Sequence, residues 1–293
     1  MKKEDIYKEL VSRKKILEDK GFKVLYIGLY GSQNYNVDDE LSDIDVKAIV
    51  LPTLDDIIAR RVISTTYECE NGAIDCKDLL TFYDVIKKGN FSYVEAIDTE
   101  YFIGDKYIKE LLSVFRPNFK SILGAMHEKR KALSHEYPSK TLEFEKWGCD
   151  PKQYHHIIRL YDLLNYNITN NKTLSYLKYD DETSKVMISI KRNVYNESKE
   201  VMETAGDYYI ERAKELIPSN YVYNIINIDE EIRNYIKKYI TLEICATSNT
   251  TSAREVRTFD NQIPKSDLKK FPELEKYDGQ DISYIVYESL EIL

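Results

Sequence analysis

The sequence predicts an α+β domain over about residues 1–115 and a mostly α-helical domain over residues 116–293. Three observations carry this. Residues 23–51 read as strand, polar loop, strand: Val24, Leu25, Tyr26, Ile27 and Leu29 lead to Gly31-Ser32, and a second strand runs from about Ser42 to Val50. Asn71-Gly72 separates the runs 62–70 and 73–79 and is a strong two-residue hairpin signal. Beyond Pro117, the expected boundary, the apolar spacing turns helical.

The remaining elements follow in order. Residues 3–20 form an amphipathic helix with Ile6, Leu10, Ile16 and Leu17 near one face and Gly21 as its stop, expected to pack on the sheet. Pro52-Thr53 opens a short helix through Leu54, Ile57 and Ile58. After the hairpin come a helix over 79–88, stopped by Gly89, and another around 93–98. A short strand is expected at 101–103, and Asp105 is placed to cap a helix reaching Phe115. Residues 119–136 make a long helix carrying His127, Lys129, Arg130, Lys131 and His135, the most basic stretch of the chain. Asp150-Pro151 starts a further helix, with Pro at its first position. Residues 183–190 read as extended, 197–216 as a helix closed by Pro218, 229–246 as a helix and 247–252 as a polar loop.

Composition bounds the function. With 293 residues, 43% hydrophobic and 31% charged, the chain can bury one large core or two ordinary ones. A net charge of −8 and a pI near 5.3 disfavour extended nonspecific nucleic-acid binding, which depends on neutralising many phosphates, but leave room for a local basic patch. The 25 tyrosines carry no functional weight, since Tyr packs in cores. Cys69, Cys76, Cys149 and Cys245 show no zinc-ligand spacing and no disulfide framework. No apolar run approaches the ~20 residues of a membrane span, and the N-terminus lacks a signal peptide's apolar stretch, so a cytoplasmic chain is expected.

The chemistry centres on the second strand. Side chains alternate faces along a strand, so Asp43, Asp45 and Lys47 are expected on one face and Ile44, Val46 and Ala48 on the other. Two like charges on a mostly buried sheet call for a cation between them, and two hard carboxylates suit Mg²⁺, with Mn²⁺ as a substitute. Gly31-Ser32 then serves as a phosphate cradle, where backbone and hydroxyl donors approach closely. The Asn71-Gly72 hairpin presents Asp75 and Lys77 together on one face. A calcium loop fails on register: counting from Asn36, Leu41 stands where glycine is needed and Lys47 where glutamate is needed. On a helical wheel Lys152, His156 and Arg159 fall within about 60° of one another, a cationic row suited to phosphate oxygens. A solvated face would produce the same pattern.

The spacing Gly31-Ser32, ten residues, Asp43-Ile44-Asp45 resembles the signature of the DNA polymerase β-like nucleotidyltransferase superfamily. Together with YGSQNY, SDIDVKAI, the run Pro151 to Leu160 and Ile190-Lys191-Arg192-Asn193, the chain is similar to a family of predicted nucleotidyltransferases of bacteria and bacteriophages, over roughly residues 20–215. The resemblance implies transfer of a nucleoside monophosphate from an NTP to an acceptor hydroxyl, with RNA favoured over protein or a small molecule. It also implies a third carboxylate on a later strand, filled by Asp75, so that Asp43, Asp45 and Asp75 hold two metal ions, and that Gly31, Ser32, Lys77, Lys152, His156 and Arg159 serve the phosphates. One departure stands out: where the family has a glycine after its Gly-Ser-x-x-Tyr run, this chain has Asn36. The alternatives from other classes are a nucleotide-sensing module with weak or no catalysis and a toxin–antitoxin type enzyme.

Overall fold

The computed structural model describes residues 3–40, 42–110, 118–170 and 176–219, with Glu230, Asn234, Lys237 and Lys238 beyond them. Pro117, most of the helix expected over 229–246 and the loop 247–252 lie outside the described residues. Helix α1 (Lys3–Asp19) buries Ile6, Leu10 and Leu17 at helical spacing, each worth about 1.5–3 kcal/mol when taken fully from water. It ends before Gly21, whose φ of +88° suits glycine. Strand β1 (Lys23–Tyr30) runs into the short helix α2 (Ser32–Tyr35), and strand β2 (Asp45–Leu51) returns antiparallel to β1.

Helix α3 (Leu54–Ile58) starts at a capping box between Thr53 and Asp56. The hairpin of β3 (Ser64–Cys69) and β4 (Gly72–Asp78) follows, turning at Asn71-Gly72 as expected. Helices α4 (Leu79–Lys87) and α5 (Phe91–Asp98), capped by Asp78 and Asn90, lead to β5 (Phe102–Gly104) and α6 (Lys106–Glu110). The five strands form one mixed sheet in the order β3-β4-β2-β1-β5, with β2 and β4 parallel and the other pairs antiparallel.

The two sheet faces do different things. Ile27, Leu29, Val46, Ala48, Val50, Ile74 and Cys76 join Ile6, Leu10 and Leu17 of α1 in one apolar core. The opposite face carries Tyr26, Gly28, Tyr30, Asp45, Lys47, Asp75 and Lys77, in register across β1, β2 and β4, and is covered by α4 and α5. Helix α5 lies so close that a Cβ on Gly28 would stand 2.1 Å from the Ala96 carbonyl oxygen. Only glycine fits there.

Helices α7 (Phe119–Leu133), α8 (Thr141–Trp147), α9 (Pro151–Thr169), α10 (Asp181–Lys191) and α11 (Lys199–Leu216) follow, with α7, α10 and α11 packed around α9. Residues 183–190, expected as extended, are helical. Asp180 caps α10 by accepting from the Thr183 N–H at 2.7 Å, and the buried positions Ser184, Met187 and Lys191 fall at helical spacing. The cap and that buried stripe override the β-branched character of Thr183, Val186, Ile188 and Ile190. Met1–Arg233 forms one compact unit and Asn234–Leu293 a second. Among the described residues no helix is long and apolar enough to cross a membrane.

Candidate active site

Gly31 ends β1 with φ +87°, and a Cβ built there would lie 3.6 Å from Asp45 Oδ2. The glycine turn and this carboxylate are therefore neighbours. Asp45 opens β2 opposite Tyr30, while Asp43 precedes the strand and is exposed. The expectation that Asp43 sits inside the strand is corrected, because β2 begins only at Asp45. Ile44 donates its N–H to the Asn71 carbonyl at 3.3 Å, which holds the chain against the hairpin tip before β2 begins. The same tip orients Asp45, whose Oδ1 accepts from the Ala73 N–H at 3.2 Å. Arg13 of α1 fixes the tip by donating to the Asn71 and Ala73 carbonyls.

Asp75 and Lys77 share a face of β4, and the register sets Asp75 beside Lys47. Lys47 Nζ donates to Asp75 Oδ2 at 2.7 Å, and Lys77 Nζ lies 3.4 Å from Oδ1. Burial raises the Asp75 carboxyl, but Lys47 and then Lys77 more than offset it and hold it below the ordinary carboxylate value. Lys47, only 9% exposed, has its ammonium 4.7 Å from the Tyr30 ring centroid and 4.5 Å from that of Tyr93. The Tyr93 hydroxyl donates to the Asp75 carbonyl at 3.3 Å.

The cationic row of α9 does not stay together. Lys152 is exposed in the first turn and His156 is half-buried, whereas Arg159 is buried and paired with Glu95 of α5 at 2.7 Å. A wheel gives direction but not depth, and at 1.5 Å per residue Arg159 lies about 10 Å further along the axis than Lys152. The Arg159 guanidinium also sits 4.1 Å over the ring of Tyr35, whose hydroxyl donates to Glu95 at 3.1 Å. Arg159 thereby grips α2, which begins at Ser32 directly after Gly31.

Sequence reasoning missed Glu95, an acid set in the apolar run of α5. It also missed the clamp on the loop between α2 and β2. Arg192 binds Asp39 through two bonds of 2.7 and 2.6 Å, and Lys191 donates to Ser42 Oγ at 2.9 Å. Asn36 adopts the left-handed conformation at φ 61°, one that glycine takes readily, and donates to the Tyr179 carbonyl at 3.0 Å. Asparagine tolerates that conformation better than other non-glycine residues, so the turn is kept.

Among the described residues no group of three or more His, Cys, Asp or Glu side chains is arranged to hold a metal ion. Asp45 offers a hard oxygen donor beside Gly31, and the exposed Asp43 carries another two residues earlier, donors of the type Mg²⁺ prefers. Asp75 has both oxygens engaged by lysines. A separate cavity of about 240 Å³ between α8, α9 and α10 is lined by Lys140, Lys146, Lys152, Lys191 and Arg192, with Trp147, Glu143 and Asp150 among the other residues.

No family model matches the chain, and no curated protein matches it. Among solved structures it is similar to a nucleotidyltransferase-like protein from Exiguobacterium sibiricum 255-15, at 12% identity over 87% of this chain and 81% of that one, with a TM-score of 0.20.

Proposed function

We propose that this chain is a Mg²⁺-dependent nucleotidyltransferase of the DNA polymerase β-like type, moving a nucleoside monophosphate from an NTP to an acceptor hydroxyl in the cytoplasm. The observation that carries this reading is the convergence of Gly31, Asp45 and Asp75 on one face of β1, β2 and β4, the first two in direct proximity. Residues 1–115 supply the chemistry, and helices α7, α9, α10 and α11 cover the nucleotide. Asp43 and Asp45 would hold Mg²⁺, which supplies neutralisation of the triphosphate when bound. Gly31 and Ser32 hydrogen-bond the phosphates, and Lys77 meets the charge that develops as the leaving group departs. The acceptor oxygen bonds the α-phosphorus as the bond to the bridging oxygen breaks. Pyrophosphate leaves with the electron pair, and the hydroxyl proton passes to water, while Asp75 holds Lys47 and Lys77 beside the acceptor.

RNA is the acceptor we favour. The lysine- and arginine-lined cavity at α8, α9 and α10 supports a phosphate-bearing partner, and Lys152 belongs to it. Arg159 serves the phosphates indirectly, by fixing Tyr35 and hence the Gly31-Ser32 turn. The test is incubation of the full chain with Mg²⁺, each α-labelled NTP, and total RNA or total protein. Label on RNA with pyrophosphate release, abolished by Asp45→Asn, supports the reading; tight NTP binding without transfer would favour a sensing module instead.

A further inference from the structure

We propose that the Lys47 ammonium takes the place of a second divalent ion at Asp75, so that the chain works with one metal ion, held by Asp43 and Asp45. The proposal rests on the nucleotidyltransferase reading and changes its metal count. Lys47 is not a surface lysine leaning inward by chance. It stands on β2 directly beside Asp75 in the parallel register, two residues beyond Asp45 on the same face.

Its ammonium is 2.7 Å from Asp75 Oδ2 and lies within reach of the rings of Tyr30 and Tyr93. Both rings are held in turn: Tyr93 by its bond to the Asp75 carbonyl at 3.3 Å, and Tyr30 by edge contact with Tyr35 at 5.9 Å. Lys77 covers the other oxygen of Asp75 and is itself fixed by donating to Ser64 Oγ at 2.9 Å. A divalent ion entering between Asp45 and Asp75 would meet a fixed, largely desolvated ammonium of like sign. Moving that ammonium aside would strip it of a carboxylate and two aromatic faces at once. Asp75 therefore arrives at the reaction with its charge already balanced. Lys47 supplies, from the protein, the positive charge that faces the acceptor oxygen.

The test is the number of Mn²⁺ ions bound per full-length chain in the presence of a non-hydrolysable NTP analogue, read from loss of the free Mn²⁺ paramagnetic signal. One ion is expected in the wild type. Asp75→Asn should also bind one, since that carboxylate holds no ion, and Lys47→Met should gain a second as Asp75 is released. Two ions in the wild type, falling to one in Asp75→Asn, would overturn the proposal whether or not Lys47→Met folds. A single ion in a folded Lys47→Met would likewise overturn the claim that Lys47 excludes the second. Failure of the underlying reading looks different: no Mn²⁺ bound by the wild type, or binding untouched by Asp45→Asn.

Discussion

Glu95 is fully buried, and its carboxylate meets Arg159, itself 4% exposed at the side chain. Removing one member of such a pair strands the other charge, so Glu95→Ala should cost about 3–5 kcal/mol in urea unfolding. Glu95→Leu combined with Arg159→Met should recover much of that loss, because an apolar pair of similar volume is tolerated. His155 makes a pH-dependent contribution. Its two ring nitrogens lack partners among the described residues, and burial, with Arg159, Lys191 and Lys152 nearby, pushes it down to about 3. The unfolded chain titrates near ~6.5, so between those values it binds a proton that the folded chain does not. The stability associated with neutral His155 is complete above about pH 6.5 and declines toward pH ~3, by up to ~1.4 kcal/mol per pH unit. Unfolding free energies compared between about pH 7 and about pH 5 should show that slope, and His155→Leu should remove part of it. His156, also pushed well below its ordinary value by burial and by His155, supplies a remainder.

Among the elements, the turn at Asn36 gives a clean test of backbone against side chain. Asn36→Ala places a Cβ residue without polar compensation at φ 61° and loses the bond to Tyr179, for an expected loss of about 1–2 kcal/mol. Asn36→Gly should lose less, and a thermal melt of both variants ranks them. The sheet was legible because its signals are local: Asn71-Gly72 sets the hairpin and the alternation of β2 separates Asp45 and Lys47 from Val46 and Ala48. Helix α10 was not, because the β-branched residues suggested strand while Asp180 and the stripe at Ser184, Met187 and Lys191 acted the other way. The proximity of Gly31 to Asp45 and the placement of Asp75 beside β2 were readable from motif and strand period. The partners of Asp75 and Arg159 were not, since Lys47 and Glu95 reach them through packing that spacing along one element does not encode.

Across the whole Met1–Arg233 unit, the clamp from Lys191 and Arg192 onto Asp39 joins helices to sheet. The single Trp of the chain, Trp147 in α8, reports on the helical side. Asp39→Asn removes the counter-charge of Lys191, which is 7% exposed, and should lower stability by about 1–3 kcal/mol. Fluorescence of Trp147 during urea unfolding should move to lower denaturant with it. An unmoved midpoint would mean that the helices unfold without regard to the loop. Arg13 reaches across 58 and 60 residues of sequence to the carbonyls of Asn71 and Ala73. Closing so long a span is slow compared with forming helices, and Asp45 takes its bearing from the tip that Arg13 secures. The orientation of Asp45 should therefore form late in folding. On dilution from denaturant, recovery of the proposed transfer activity should trail the return of helical signal, with Arg13 of α1 setting when it comes.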